Sequence, residues 1–563
     1  MKRTLLALLL AATASAAHAQ YFNAYYQHPG FCNLTDGFNA RIGGPGFVTM
    51  GNNDDTYIFD RMNISGSYTS GFSRQYTFYL GSGLMIQQRG GSIVESNIGG
   101  GNTFAFATAN PEGFCFGLLQ SNGNNITGIR HYALGVGGVA ERALIANSTQ
   151  TPGAEFFISG RYNNQMYVAK MSSGGTVIWS NWYTMNGISD IRPGAIIQSR
   201  TAPYDVVVVG TTNFVSPARG DDGFFMRLNP TTGSVSGLSL LGSAAQPEGF
   251  NAVMESTNPA SPGYVVGGHV NGESWGVKLN PLGTGILWNY IYKATGTTSL
   301  ALTGIAERVN TAGLYEHFVV CKDLSNKALV YKLNANGRPV GMTTGLNDQF
   351  QYTAATGTTP FWQTTGVDID VNTSGAWDGL SVFGYVTNPG LPGSAHYSYI
   401  TKTYFNGVVD CNEVLLKANT IAGRPFLPAA TMSVSAFTIT PQNLIMQVGN
   451  LATEEIICNE EFLPGGSNAR KAKAELLQEL TVQPNPVTNQ FTIAGPVAGE
   501  GTVQVALTDM TGRSVYAKTL TGLPEQFSLH INRADLNCPA GMYLLRVTSG
   551  TSQQTRKLVF ATH

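Results

Sequence analysis

The sequence predicts an all-β chain of repeated four-stranded units that ends in a smaller β-rich domain. Three observations favour this fold class: apolar and polar residues alternate in short segments, glycine is frequent (67 of 563 residues), and a set of residues recurs at fixed offsets. Alternation with a period of two is typical of half-buried strands. Charged residues make up only 12% of the chain and the net charge is -1, so no overall field would attract nucleic acid.

Residues 1–19 have the pattern of a secretory signal peptide. Lys2 and Arg3 precede an apolar segment at 5–12, and Ala17 and Ala19 form a small-x-small cleavage site. The mature chain is therefore expected to begin at Gln20. No later segment is apolar for long enough to span a bilayer, so we expect no transmembrane helix.

Residues 20–462 contain the repeats. A glycine is followed ten positions later by a basic residue and five positions after that by a second glycine. Complete copies are Gly51-Arg61-Gly66, Gly160-Lys170-Gly175 and Gly268-Lys278-Gly283. Copies with a replacement or an insertion are Thr108-Leu118-Gly123, Gly210-Arg227-Gly233, Lys322-Lys332-Gly337 and Gly384-Lys402-Gly407. The second glycines lie roughly 50 to 70 residues apart, which is in the range of propeller blades.

Each copy also repeats one order of strands. Around Gly268, strands at 249–254, 264–268 and 275–279 lead into a turn at 280–283 and a fourth strand at 286–292. Four strands per unit, repeated about seven times, predict a β-propeller.

The copies are similar to the glycine-rich blades of bacterial secreted propellers, which end in KL-x-x-x-G-x-x-x-W. Trp179 and Trp288 keep the tryptophan of this ending. We expect seven blades over about 37–419, with eight as the alternative, because segments 21–26 and 420–462 would supply strands for an extra blade. Residues 463–479 have the composition of a linker with a short helix.

Residues 480–563 alternate apolar and polar residues in about seven short segments, which predicts a small antiparallel sandwich. Four motifs punctuate it: Pro484-Asn485-Pro486, Asp509-Met510-Thr511-Gly512-Arg513, Gly541-Met542-Tyr543 and a final Lys557-Leu558-Val559. In this order they resemble the C-terminal sorting domain of the type IX secretion system of Bacteroidetes. The resemblance implies export through the periplasm to the outer-membrane surface or the medium. It also implies contact with the type IX translocon and its sortase.

Catalytic and metal-binding motifs are missing from the repeats. No G-x-S-x-G elbow or nucleotide-binding loop occurs, and no His or Cys lies at zinc-ligand spacing. We expect no cofactor, although oxygen ligands at 52–55 or at Asp221-Asp222 would permit calcium. Cys32, Cys411 and Cys458 lie in loop-like segments, and a disulfide between two of them is a further hypothesis.

The recurring basic position is the candidate ligand site. Propeller symmetry would arrange its residues as a ring that binds an acidic polymer, or their stems would pack across neighbouring strands. These residues are Arg61, Lys170, Arg227, Lys278, Lys332 and Lys402. We expect a non-catalytic surface module that binds glycan or protein, as in adhesion. The alternatives are a polysaccharide lyase or glycosidase with its site on propeller loops, and a structural component of an extracellular layer.

Overall fold

The computed structural model divides the chain into two units, residues 1–458 and 459–563. The expected signal peptide and linker helix lie outside the described residues. The structure describes residues 22–27, 33–40, 46–53, 56–63, 74–80, 90–96, 103–120, 126–135, 138, 140–214, 220–243, 246–294, 298–310, 312–322, 328–340, 348–352, 361–371, 377–387, 396–403, 413–427, 431–439, 441–450, 454–457, 481–485, 487–496, 503–509, 513–521, 526–536, 538–549 and 552–561.

The first unit is a seven-bladed β-propeller, and each blade is an antiparallel sheet of four strands. The first strand of the chain, β1 (Phe22–Gln27), is the fourth and outermost strand of blade 7, and the other three strands of this blade come last along the chain. Blades 1 to 3 consist of β2 (Asn33–Ala40), β3 (Gly46–Asn53), β4 (Thr56–Asn63), β5 (Arg74–Leu80); β6 (Gly91–Ser96), β7 (Thr103–Asn110), β8 (Gly113–Gln120), β9 (Ile126–Ala133); and β10 (Ala140–Asn147), β11 (Glu155–Tyr162), β12 (Gln165–Ser172), β13 (Val177–Met185).

Blades 4 to 6 and the three inner strands of blade 7 follow along the chain in the same way. They consist of β14 (Ile188–Gln198), β15 (Val206–Phe214), β16 (Gly220–Leu228), β17 (Val235–Leu241); β18 (Glu248–Ser256), β19 (Gly263–Val270), β20 (Glu273–Leu279), β21 (Ile286–Ala294); β22 (Gly304–Val309), β23 (Tyr315–Lys322), β24 (Ala328–Asn334), β25 (Asp348–Tyr352); and β26 (Phe361–Val371), β27 (Trp377–Thr387), β28 (His396–Thr403).

The first strand of every blade lies innermost and contacts the first strands of its neighbours, and β26 of blade 7 contacts β2 of blade 1. This closed ring confirms the prediction of seven blades. Buried apolar clusters lie between successive blades; for example, Tyr57 and Phe59 of blade 1 pack with Phe104 and Phe106 of blade 2.

The segment after blade 7 does not form the extra blade that was the alternative. This segment, the strap (residues 413–457), adds strands to the outer edges of existing blades. They are β29 (Glu413–Ala422), β30 (Met432–Ala436), β31 (Pro441–Asn450) and β32 (Glu454–Ile457). Strand β29 pairs with β21 and β25, β30 with β13, β31 with β9 and β5, and β32 with β1. Outer strands with unpaired backbone groups could pair with other chains, and the strap strands protect them from this by pairing with them.

The two positions of the repeat require glycine for different structural reasons. Gly268 lies so close to the inner strand that a Cβ there would be 1.8 Å from the carbonyl oxygen of Gly249. Gly337 has a φ of +73° in the turn between β24 and β25, and a Cβ there would be 2.4 Å from the ring of Trp288 in the preceding blade. The first glycine thus permits close strand packing, and the second permits both the turn and the contact between blades.

The same turns accept hydrogen bonds across the boundaries between blades. Trp288 Nε1 donates to Ala335 O at 3.1 Å, and the Tyr292 hydroxyl donates to Gly337 O at 2.9 Å. Trp179 and Tyr183 of blade 3 make the equivalent bonds to the turn of blade 4. The tryptophan of the repeat therefore joins neighbouring blades.

The second unit is a small antiparallel sandwich of two sheets, as predicted. Val505, Leu507, Leu545 and Leu558 are among the residues of its single apolar core. Its strands are β33 (Thr481–Gln483), β34 (Gln490–Pro496), β35 (Val503–Asp509), β36 (Ser514–Leu520), β37 (Gln526–Asn532), β38 (Gly541–Ser549) and β39 (Ser552–Phe560). Within the described ranges, no helix has the length and apolar character needed to cross a membrane.

Candidate functional site

The recurring basic residue is neutralised inside its own blade in three cases. Its partner is an acid at or just before the start of the second strand. Lys170 lies 2.8 Å from Glu155, Arg227 lies 3.0 Å from Asp205, and Lys332 lies 3.1 Å from Glu316. Burial raises the pKa of Glu155, but hydrogen bonds from Lys170 and Thr151 outweigh this effect and hold that pKa below its ordinary value.

Two blades have glycine, Gly46 or Gly263, at the position of that acid. Their cations, Arg61 and Lys278, interact instead with a glutamate on the inner strand of the next blade, Glu95 or Glu307. Burial lowers the pKa of both cations, and the nearby glutamate opposes this shift.

Glu307 is the centre of a buried polar cluster between blades 5 and 6. Its carboxylate accepts hydrogen bonds from the Ser256 hydroxyl at 2.6 Å and from the Thr257 backbone N–H at 2.6 Å, and it lies 2.9 Å from His317 Nε2. Lys278 Nζ donates to Ser256 Oγ at 3.1 Å. Burial raises the pKa of Glu307, but the hydrogen bonds from His317, Ser256 and Thr257 together lower it to about 2.

The six basic side chains therefore do not form an exposed ring. Arg61, Arg227, Lys278 and Lys402 are buried, and the side chains of Lys170 and Lys332 are nearly so. Lys170 also packs over the ring of Phe157, with its Nζ 5.5 Å from the centroid. This placement agrees with stems that pack across neighbouring strands and gives no support to a surface for an acidic polymer.

A different charged group lies on the face that carries the connections between second and third strands. We call it the charge chain: Glu141, Arg161, Asp190, Arg192 and Asp221. Arg161 binds both oxygens of Asp190, with Nε at 2.7 Å from one and Nη2 at 3.1 Å from the other, and it also pairs with Glu141. Arg192 Nε lies 3.1 Å from Asp190, and its Nη2 lies 2.5 Å from Asp221.

The charge chain is built by blades 3 and 4 together. Glu141 is on β10 and Arg161 on β11, whereas Asp190 and Arg192 alternate along β14, and Asp221 is on β16. Asn164, in the turn after β11, accepts a hydrogen bond from Arg161 Nη2 at 2.6 Å. Side-chain exposure is 49% for Glu141 and 38% for Arg192, so the two residues present an anion and a cation to solvent.

Chemically, the charge chain offers fixed donors and acceptors in alternation. Each oxygen of Asp190 already faces a guanidinium, which leaves this carboxylate engaged. Such a surface suits recognition of polar groups more than proton transfer. The sequence carried one visible signal for it, the alternation Asp190-Ile191-Arg192, but gave no indication that Arg161 lies opposite.

The proposed calcium ligands have other neighbours. Asp221 pairs with Arg192, and Asp222 is buried within β16. Asn52 and Asn53 end β3, while positions 54–55 are not among the described residues. In the described part of the chain, no group of three or more His, Cys, Asp or Glu residues is placed to hold a metal ion. The cysteines of the suggested disulfide, Cys32, Cys411 and Cys458, also lie outside it.

Three of the four motifs of the second unit meet at its last strand, β39. Asn485 Oδ1 accepts the Val559 N–H at 2.9 Å, and the Tyr543 ring packs edge-on against Phe560 with centroids 4.9 Å apart. Lys557 lies on the same strand, opposite Leu544. These residues thus lie on or next to β39, the edge strand of its sheet. Of the motif positions, Pro486, Met510, Thr511 and Gly512 lie outside the described residues.

The fourth motif flanks the connection between β35 and β36. Asp509 Oδ1 accepts the Arg513 N–H, and Asp509 Oδ2 lies 3.0 Å from Arg513 Nε. Residues 481–561 match a family model described as a secretion system C-terminal sorting domain. The second unit is a type IX secretion sorting domain. It directs the protein to secretion or cell-surface attachment and implies contact with the type IX machinery.

Three solved structures show a weak resemblance to the chain. The Dos1 propeller is 11% identical, with 71% of this chain and 94% of that chain covered, at a TM-score of 0.39. Dimeric latent PorU from Porphyromonas gingivalis is 10% identical, with 96% and 34% covered, at 0.13. A repeat from a large adhesion protein is 9% identical, with 94% and 100% covered, at 0.11. No curated protein matches the chain.

Proposed function

We propose that the exported propeller is a non-catalytic binding module that recognises a neutral glycan through the charge chain. The observation that carries this proposal is the exposed alternation of Glu141 and Arg192 around the engaged Asp190. Hydroxyl groups of a sugar both donate and accept hydrogen bonds, so they match a surface that offers both.

Two features favour a neutral ligand over an acidic one. The recurring cations are buried or nearly so, and three of them pair with Glu155, Asp205 and Glu316, so they supply little positive surface. The charge chain itself contains three carboxylates and two guanidinium groups, which would repel a polyanion more than attract it.

The test compares two variants of the full chain on arrays of neutral and acidic glycans. Arg192→Gln removes the exposed cation of the charge chain and is expected to weaken binding about tenfold, the equivalent of one charge-assisted hydrogen bond. Lys293→Gln is the matched control, because Lys293 is similarly exposed at 44% and pairs with Glu273 at the outer edge of blade 5. It is expected to bind as the unchanged protein does.

Equal binding by all three proteins would refute a role for the charge chain. Release of new sugar ends from any bound glycan would instead favour the lyase or glycosidase alternative. Absence of glycan binding together with self-assembly, followed by light scattering, would favour the structural alternative.

A further inference from the structure

The face that carries the charge chain has a further polar side chain on blade 5. His269 lies near the end of β19, where it is paired with Gly249 of β18 and Ser274 of β20. The charges of Asp221 and Arg192 both act on its ring, so it lies beside the blade 4 end of the charge chain. The polar residues of this face therefore continue from blades 3 and 4 onto blade 5.

A glycine on the inner strand of blade 5 brings this histidine close to blade 4. Arg192 and Gly249 are equivalent positions, because each pairs with the residue after the first glycine of the repeat, Thr211 or His269. A Cβ at Gly249 would lie 2.1 Å from Thr211 Oγ1 and 2.9 Å from His269 Cε1. Only glycine permits both side chains to approach the strand this closely. We call Thr211, Gly249 and His269 the extension.

The two side chains of the extension keep polar atoms without partners in the protein. His269 Nδ1 is buried and has no hydrogen-bond partner among the described residues. An N–H at that atom would be unsatisfied, so the ring proton belongs on Nε2 and makes the partly exposed ring a donor. The hydroxyl of Thr211, a residue that is 7% exposed, also forms no hydrogen bond within the described part of the chain.

The histidine ring is uncharged at neutral pH. Burial lowers the pKa of His269, the carboxylate of Asp221 opposes this effect, and the guanidinium of Arg192 adds to it, so that the net shift is downward. The extension therefore places uncharged hydrogen-bonding groups beside the charged groups of blade 4.

The charge chain and the extension together cross three consecutive blades. Glu141 is on blade 3, Arg192 on blade 4 and His269 on blade 5. Packed sheets lie about 10 Å apart, so the three positions extend over about 20 Å. A single sugar ring is shorter than this span, whereas a chain of several sugars can contact all three blades.

We propose that the extension is a subsite of the glycan surface, and that the ligand is a neutral oligosaccharide running from blade 3 to blade 5 with one hydroxyl held by Thr211 and His269. This inference rests on the proposed function and narrows its ligand from a neutral glycan to a chain of several sugars. A sugar hydroxyl can accept from His269 Nε2–H and exchange a hydrogen bond with the Thr211 hydroxyl. The alternative is that His269 only packs between blades 4 and 5.

The test measures binding of neutral hexasaccharides of glucose, mannose and xylose, and of their monosaccharides, to the full chain by calorimetry. Thr211→Val removes one hydroxyl at nearly constant volume, and His269→Phe removes both ring nitrogens but keeps a ring. Each is expected to weaken the tightest hexasaccharide about fivefold, the equivalent of one neutral hydrogen bond. Thr232→Val is the matched control, because it removes an exposed hydroxyl from the turn between β16 and β17 on the opposite face. It is expected to bind as the unchanged protein does.

Thermal unfolding of each variant separates a loss of binding from a loss of fold. His269→Phe is expected to be neutral or slightly stabilising, because it removes a buried nitrogen that has no hydrogen-bond partner among the described residues. If one variant of the extension does not fold, the other carries the comparison.

The outcomes distinguish this inference from the proposed function. Weaker binding by Arg192→Gln with unchanged binding by Thr211→Val and His269→Phe would refute the extension and leave the charge chain in place. Unchanged binding by Arg192→Gln with weaker binding by both variants of the extension would support the extension and refute the role of the charge chain. Equal affinity for a monosaccharide and its hexasaccharide, or no binding of any hexasaccharide, would refute the extended ligand.

Discussion

The same basic position is neutralised in two ways, and the difference separates contacts within a blade from contacts across a boundary. Lys170 reaches Glu155 on its own sheet, where the carboxylate is 27% exposed. Lys278 has glycine at that place and depends on Glu307 of the next blade, whose side chain is 3% exposed. One missing acid thus converts a local ion pair into a buried link between blades.

Individual polar groups at the boundaries between blades are therefore expected to contribute more to the free energy of unfolding than those within a blade. A partly exposed pair is partly compensated by water, whereas a buried carboxylate with several donors leaves all of them unsatisfied when it is removed. Four predictions follow this contrast from the largest effect to the smallest.

Glu307→Gln is expected to lower the free energy of unfolding by about 3 to 5 kcal/mol, because it leaves Lys278 and the neighbouring donors buried without a charged acceptor. Glu155→Gln is the control within a blade and is expected to cost about 1 kcal/mol or less. Denaturant titration of both variants measures the difference. Equal losses would remove the distinction between the two kinds of pair.

Acid should weaken the link at Glu307 selectively. Its pKa in the folded protein is about 2, against an ordinary 4.5, so its contribution is complete above pH 4.5 and is lost as the pH falls towards 2. The stability gap between the unchanged protein and Glu307→Gln is therefore expected to shrink by about 3 kcal/mol over that interval. Parallel curves of unfolding free energy against pH would contradict the assignment.

Turn glycines should differ according to whether they meet the next blade. Gly337→Ala is expected to cost about 2 to 4 kcal/mol, because φ is +73° and the new Cβ would overlap Trp288. Gly272→Ala has a similar φ of +81° with nothing within 4 Å, and about 1 kcal/mol is expected. Thermal or denaturant unfolding that ranks them equally would show that backbone strain alone decides.

The smallest effect concerns two buried tyrosines. The Tyr292 hydroxyl donates across a boundary to Gly337, so Tyr292→Phe is expected to cost about 1 kcal/mol. The Tyr167 hydroxyl has no hydrogen-bond partner among the described residues, so Tyr167→Phe should be neutral or slightly stabilising. A larger loss at Tyr167 than at Tyr292 would reverse the comparison.

The repeat made the blades predictable, because each copy carries its own strand pattern and turn glycine. Three of the four motifs likewise marked the sorting domain through local turn chemistry at Pro484, Asp509 and Gly541. The charge chain was not predictable, because Arg161 and Asp190 come from different blades whose relative register no local pattern encodes. Glu155 and Glu316 lie in the same blades as their cations, but at different sequence distances from them, so no fixed spacing in the repeat marks these acids.

The pairing partners of the strap strands could not be predicted from the sequence. The sequence predicts strands within 420–462, but its alternation does not say which sheet edge these strands join. Their partners are outer strands of blades formed far earlier in the chain, and these edges exist together only once the ring has closed. The sequence therefore predicts seven blades but leaves eight open as the alternative, because the strands of an extra blade would have the same local pattern.

Because β32 lies beside β1, with Ala24 opposite Ile457, the two ends of the propeller sequence are spatial neighbours. Such proximity is the condition that circular permutation requires. A short peptide joining the ends of these strands would turn the strap and the first blade into one continuous stretch of chain. New termini could then be opened in any connection between blades, with the order of blades around the ring unchanged.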